Sequence, residues 1–194
     1  MKTPTRQRLA EAALRRFYRE GFRNVGIDQV LGEVGISKTA FYKHYESKEE
    51  LMLAGLEFQH RQLAEMFAAV VVERGGNDPA AQLRALVDVV EQLVESDDFH
   101  GCVFVNAAIE FPLPHDPAHV AAAESKQAIE NFVADLARQA GARDPRLLAR
   151  ELCLIMEGCY VTRHVSGKRC VVDVARRVAD LVIDASLSGT APTE

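Results

Sequence analysis

The sequence predicts an all-α protein with a small three-helix head and a longer helical body. Three observations carry this. No stretch alternates apolar and polar residues between hairpin turns. Apolar residues recur at three- and four-residue intervals along most of the chain. Helix boundaries are punctuated: Asp78-Pro79, Asp116-Pro117 and Asp144-Pro145 each join an N-cap to a proline in the first helical turn, and Gly21, Gly35, Gly141 and Gly167 each follow a helical pattern. No internal repeat or low-complexity segment interrupts the series.

Taken in order, the first helix starts at Thr3-Pro4 or Thr5, buries Leu9, Ala12, Ala13 and Phe17, and stops at Gly21. Arg6 and Arg8 near its start read as solvated charges, with approach to a phosphate as the alternative. Ile27, Val30, Leu31 and Val34 then form one apolar stripe, ended by Gly35, which tolerates a left-handed backbone. Ile36 plugs the turn, Ser37 is an N-cap, and Lys38 to Tyr45 form a second short helix. Two short helices around a tight glycine turn make a helix-turn-helix. Ser47 with Glu50 reads as a capping box that opens a long helix, running to about Glu73 before Gly75-Gly76. Lys48 sits in its first turn, where outward N–H groups favour an anion. Later helices are expected from Asp78-Pro79 to about Glu95, within VFVNAAIEF before Pro112 and Pro114, and from Asp116-Pro117 to about Ala140. Two more run from Asp144-Pro145 to about Ser166 and from Val171 to Leu187, and the tail GTAPTE is expected to be disordered.

Charge divides the chain the same way. The whole carries −5, yet residues 1–55 hold ten Lys/Arg against seven Asp/Glu, a net +3, and the remainder carries −8. A basic head on an acidic body puts a nucleic-acid surface at the N-terminal end. No apolar run is long enough for a membrane span, and the N-terminal segment lacks the apolar core of a secretory signal, so no membrane partner is expected and the expected compartment is the cytoplasm. Cys102, Cys153, Cys159 and Cys170 fit neither a CxxC zinc site nor a disulfide framework.

The stretch GIDQVLGEVGISKTAFYKHYESKEEL resembles the DNA-binding signature of the TetR/AcrR family of bacterial one-component transcription regulators. The resemblance is carried by Gly21 and Phe22, by Val34-Gly35-Ile36-Ser37, by Phe41-Tyr42-Lys43-His44-Tyr45 and by Ser47-Lys48-Glu49-Glu50-Leu51. One position departs from it: Gly26 stands where the family usually has Thr, which removes a hydroxyl that could meet a phosphate. The resemblance implies a helix-turn-helix DNA-binding domain over 1–50 and a helical effector-binding and dimerisation domain over 51–194. It further implies a repressor that binds a palindromic operator in double-stranded DNA as a homodimer and is released by a small-molecule effector.

Roles follow for particular residues. Lys38 can donate to guanine O6 and N7, and Thr39 and Ala40 can touch a thymine methyl. Tyr42, His44 and Lys48 are candidates for phosphates, with Lys43 on the same donor-rich helix. Phe41 is expected in the core, and Tyr45 with its ring packed and its hydroxyl exposed. The last two helices are apolar on more than one face, and the resemblance implies that they form a four-helix bundle with their twins, which makes Leu148, Leu152, Ile155, Met156, Cys159, Val174, Val178, Leu181 and Val182 candidates for the dimer interface. Candidates to line an effector cavity are Phe58, Gln62, Met66, Cys102, Phe104, Phe111, Phe132 and Tyr160.

Other chemistry competes with these roles. Cys102, after His100 and at a helix start, is an alternative sensor of oxidants or electrophiles; the resemblance adds that a GCxxxN segment recurs here in part of the family. His100, Cys102, His115 and His119 have donor types that bind zinc but only generic spacing, and no metal or cofactor is expected. An enzyme would need Cys102, His100 and Asp97 or Asp98 as nucleophile, base and orienting group; no phosphate loop, nucleophile elbow or HExxH supports it.

Overall fold

The computed structural model describes residues 4–167 and 171–188, and every regular element among them is a helix. Thr3, Cys170 and the GTAPTE tail lie outside the described residues. The order is α1 (Thr5–Glu20), α2 (Ile27–Val34), α3 (Lys38–Phe41), α4 (Lys48–Gly75), α5 (Pro79–Arg84), α6 (Leu86–Glu95), α7 (Val103–Glu110), α8 (Pro117–Gln139), α9 (Pro145–Ser166) and α10 (Val171–Leu187).

These helices form two compact units, and neither follows the boundary at residue 50 expected from the sequence. The first gathers the chain up to Leu63 together with Cys102–Lys126; the second gathers Ala64–Gly101 and the chain from Gln127 onward. Hence α7 and the start of α8 fold with the head. The reason is apolar: Val103, Phe104, Ala107, Ala118 and Ala122 are buried in the same core as Leu9, Phe17, Phe22, Phe41 and Leu51. A core of that kind is built from whatever apolar faces reach it, whatever their distance along the chain. Both long helices, α4 and α8, contribute residues to each unit.

In the first unit the aromatic rings are stacked in sequence. Phe17 lies 5.3 Å from Phe22, and Phe22 meets Phe111 edge-on at 6.3 Å. The expected capping box at Ser47 is only half formed. Ser47 Oγ accepts from the Glu50 N–H at 3.0 Å, but the Glu50 carboxylate turns to the Glu46 N–H at 2.7 Å and to Arg6 at 2.9 Å. A guanidinium outbids one's own cap residue because both partners of that bond are charged.

In the second unit α10 packs on α9, α5 and α6. Arg84 reaches Asp180 and Asp184 at 2.7 and 2.5 Å, and Arg176 reaches Asp88 and Glu91 at 2.7 and 3.0 Å. The single helix expected from Pro79 to Glu95 is broken at Ala85 into α5 and α6. No glycine or proline marks the break; Leu83, Ala85, Leu86 and Val87 are all buried, and packing decides it. Gly75 is the last residue of α4 rather than its stop. A Cβ there would stand 2.4 Å from the Gln82 backbone nitrogen, so glycine is required by close approach.

The residues expected at the dimer interface differ in exposure within the single chain. Leu148, Leu152, Met156 and Cys159 are buried inside the second unit, and burial raises the Cys159 thiol pKa. They are core of the second unit. Ile155 and Val182 are half-buried, while Val174, Val178 and Leu181 are exposed. The sequence showed two apolar faces on these helices but not which one turns inward. The outward row of α9 is Leu147, Leu154, Val161 and Val165, exposed by 52 to 79%.

Candidate nucleic-acid interface

The helix-turn-helix is built from its turn outward. Gly26 N-caps α2 in extended conformation, and Gln29 Oε1 accepts the Gly26 N–H at 2.7 Å. Gly35 ends α2 at φ +75°, where its N–H and that of Ile36 both reach the Leu31 carbonyl, at 2.8 and 3.2 Å. Only glycine takes that backbone angle without a steric penalty. Ser37 Oγ then accepts the Ala40 N–H at 3.2 Å and starts α3.

The second short helix is shorter than expected. Regular α-helix covers Lys38–Phe41, and the chain then tightens into turns, with Lys43 and His44 N–H groups bonding three residues back to Ala40 and Phe41. Phe41 and Tyr45 face inward, fully buried and 6.0 Å apart. The Tyr45 hydroxyl, expected in solvent, instead donates to the Arg6 carbonyl at 2.8 Å, and burial raises the phenol pKa. Lys38, Thr39, Tyr42 and Lys43 face outward; Tyr42 is 57% exposed, and Ala40 and His44 are half-buried. Among the described residues Lys43 has no ion-pair partner.

Two further charges are placed differently. Lys38 Nζ lies 2.9 and 3.0 Å from the two carboxylate oxygens of Asp28, and hydrogen bonding to that carboxylate raises the ammonium pKa. Lys48, expected to meet a phosphate, is half-buried. Its ammonium lies 5.7 Å from the Phe17 ring centre and donates to the Arg23 carbonyl at 3.4 Å, and burial lowers its pKa. To contact a phosphate, Lys48 has to release that carbonyl.

Much of the head's positive charge is spent inside the head. Arg6 donates to the His44 carbonyl and to Glu50, and its guanidinium sits 4.3 Å from the Tyr45 ring centre. Arg8 donates to the Val34 carbonyl at 3.2 Å, at the negative end of α2. Arg15 and Arg16 both hold Glu33, at 2.9 and 2.8 Å; hydrogen bonding to Arg15 first, and then to Arg16, keeps its carboxyl below the ordinary range. Arg6 and Arg8 are therefore not idle solvated charges: each holds a main-chain carbonyl within the head. Arg6→Ala is expected to cost about 1 kcal/mol, because the Arg6 side chain is 54% exposed. Thermal melting measures it, and an unchanged midpoint would remove Arg6 from the account.

Glu110, at the end of α7, was not legible in the sequence. Its Oε1 accepts the Phe22 N–H at 2.9 Å and its Oε2 the Arg23 N–H at 2.8 Å. Arg23 answers with Nε to the Glu110 carbonyl at 2.9 Å, and its guanidinium lies 4.9 Å from the Phe111 ring centre. One carboxylate thus holds the turn from which α2 departs. Beside it, Arg23, Lys48, Met52, Phe111 and Ala118 line an open cleft of about 570 Å³.

The remaining candidates divide between the units. Phe58, Gln62, Cys102, Phe104 and Phe111 belong to the first. Phe104 is core, Phe58, Cys102 and Phe111 pack against that core, and Gln62 is exposed. Met66, Phe132 and Tyr160 belong to the second, where Phe132 meets Phe67 edge-on at 6.3 Å and Tyr160 lies 6.3 Å from Phe99. Cys102 is the N-cap of α7; a ring nitrogen of His100 lies 2.9 Å from the Asp98 carbonyl, and one of His119 lies 3.0 Å from the Phe111 carbonyl. Among the described residues no three His, Cys, Asp or Glu side chains gather to hold a metal ion, and no helix is long and apolar enough to cross a membrane.

A donor-bearing helix set on a buried aromatic pair and positioned by a glycine turn defines a helix-turn-helix DNA-binding transcriptional regulator. Comparison with known proteins agrees. Residues 9–54 match the model for bacterial regulatory proteins of the tetR family, and residues 79–179 match a tetracyclin repressor-like C-terminal domain. The chain belongs to the TetR family. It is 23% identical over 171 residues to the HTH-type transcriptional regulator YjdC of Escherichia coli, covering 88% of this chain and 89% of that one. It is 26% identical over 163 residues to the transcriptional regulator AcuR of Cereibacter sphaeroides, covering 80% and 74%. Its structure resembles a TetR-family transcriptional regulator from Streptomyces coelicolor with a TM-score of 0.87 and 28% identity, covering 95% and 96%.

Proposed function

We propose that this regulator is a homodimeric repressor that binds a palindromic operator and leaves it when a small molecule occupies the helical body. The observation that carries the DNA part is the outward face of α3 and the turn after it: Lys38, Thr39, Tyr42 and Lys43 stand exposed over buried Phe41 and Tyr45. Hydrogen-bond donors dominate that face, as a surface meeting phosphates and base edges requires. Tyr42, His44 and Lys48 serve phosphates, and Lys38, Thr39 and Ala40 serve bases. The cytoplasm, where bacterial DNA lies, is the proposed compartment.

The dimer is supported by the apolar rows left on α9 and α10. Leu147, Leu154, Val161 and Val165 on one, with Val174, Val178 and Leu181 on the other, are exposed in the single chain. Rows of this kind mark contact surfaces. A two-fold pair of α9 and α10 covers them in one four-helix bundle and presents two copies of α3 to half-sites about 34 Å apart. Repression and effector release are the commonest behaviour of the family. In the proposed mechanism an effector shifts α4, which contributes to both units, and so alters the spacing of the two heads.

Leu154→Glu puts a charge into the proposed bundle, where Leu154 is 71% exposed in the single chain and the change leaves its fold intact. Sedimentation equilibrium is expected to give a dimer for the natural chain and a monomer for the variant, with operator affinity reduced at least a hundredfold, on the order of the energy of one buried unpaired charge. A variant that sediments as the natural chain does would rule out this interface.

A further inference from the structure

We infer that Asp28 and Lys38 act as one base-reading unit, in which Lys38 donates to a guanine while Asp28 accepts from the cytosine of the same base pair or the next. This rests on the reading of α2 and α3 as the DNA-facing surface.

Asp28 is the second residue of α2 and Lys38 the first of α3. The ammonium sits between both carboxylate oxygens, at 2.9 and 3.0 Å. The two side chains remain 74 and 61% exposed, so the pair stands at the mouth of the helix-turn-helix and not in its core. Such an exposed pair contributes little to folding, and its removal leaves the head intact.

A carboxylate is out of place on a surface built to meet phosphates. It repels them, and it repels them from Lys38 as well, because any phosphate bound to that ammonium would lie against Asp28. The pair is therefore directed away from the DNA backbone. Base edges are different, since the major groove presents donors as well as acceptors. Guanine shows O6 and N7, two acceptors, and its partner cytosine shows the N4 amino donor beside them. An ammonium next to a carboxylate is the complement of that edge.

The pairing also changes what lysine can do alone. A free lysine is a flexible point charge that donates to guanine O6 or N7, thymine O4 or adenine N7 with little preference. Tethered to Asp28, it loses that freedom and gains a neighbour that requires a donor, such as cytosine N4, beside the acceptors that Lys38 meets. Discrimination then comes from two sources: an aimed donor and an acceptor that must be satisfied.

The test uses the full chain. Natural protein, Lys38→Ala, Asp28→Ala and Asp28→Asn each select from random duplex DNA, and each is titrated against the recovered duplex and its single-base-pair variants. In each half-site of the natural protein, one G·C pair or two neighbouring pairs are expected whose replacement costs about tenfold or more. Lys38→Ala and Asp28→Ala are each expected to bring that cost below about threefold at the same place. Asp28→Ala should bind random DNA as well as the natural protein or better, since a negative charge has gone. Asp28→Asn should shift preference from the cytosine toward adenine, which an amide recognises through N6 and N7. Unchanged base preference in Asp28→Ala, or an equal change at every position, overturns the inference and leaves the regulator reading standing. If the natural protein enriches no sequence, both fall.

Discussion

Phe41→Ala is expected to remove specific DNA binding and to cost the head about 3–5 kcal/mol, the usual range for emptying a buried aromatic site. Phe41 has no exposed surface, stacks on Tyr45 at 6.0 Å and meets Tyr42 edge-on at 5.1 Å. It supports both the inward ring that bonds Arg6 and the outward ring that is proposed to meet a phosphate. With regular α3 only four residues long, no neighbouring turn of helix can hold the donors once this ring is gone. A loss of that size approaches the whole stability of a small domain. Denaturant unfolding and operator binding of the variant measure it. Less than about 1 kcal/mol lost, with operator affinity retained, would show that the turn and caps position α3 without the aromatic pair.

Glu110→Ala is expected to cost about 2–3 kcal/mol and to weaken operator binding at least tenfold, although Glu110 lies on α7 and outside every predicted DNA contact. Its carboxylate satisfies two backbone N–H groups, of Phe22 and Arg23, and the first of these is partly buried. Without it the turn before α2 loses both acceptors, and Arg23, whose carbonyl receives Lys48, is left with only its side-chain bond to the residue 110 main-chain carbonyl. Gln in place of Glu retains one acceptor oxygen but turns an amide toward the other N–H, so Glu110→Gln should recover less than half of the loss. Hydrogen exchange at Phe22 and Arg23 gives a local reading. Protected amides in Glu110→Ala would mean that the turn is held by its own backbone.

Local features of this fold were legible in the sequence. Ser37, Asp78 and Asp144 cap helices because their side chains bond backbone N–H groups two or three residues ahead. Those are short-range facts, as is the Gly35 turn, and the long helix from Lys48 and the last two helices follow from the same signals. Long-range partnerships were not legible. Glu110 meets residues 87 and 88 positions away, and Arg6 meets Glu50 across 44. No pattern in a single chain pairs them, since any arginine and glutamate on exposed faces look alike. The same limit explains the inward choice of Leu148 over Leu147: adjacent apolar residues on one helix point to different faces, and only the neighbouring helices select between them. For the candidate site, the residue types on α3 were readable, but Asp28 was not, because an acidic residue is not sought on a DNA-binding face.

In the proposed complex two copies of the α3 face, joined through α9 and α10, read one two-fold-symmetric duplex. That reading is tested most directly by titrating the duplex recovered from selection against the same duplex with one half-site scrambled. Stoichiometry is followed by analytical ultracentrifugation and affinity by fluorescence anisotropy over a range of salt. Two chains per intact duplex are expected, with affinity at least a hundredfold higher than for the scrambled one and a steeper fall of affinity with salt, because two heads release more counterions than one. One chain per duplex, or equal affinity for the two duplexes at every salt concentration, would contradict it.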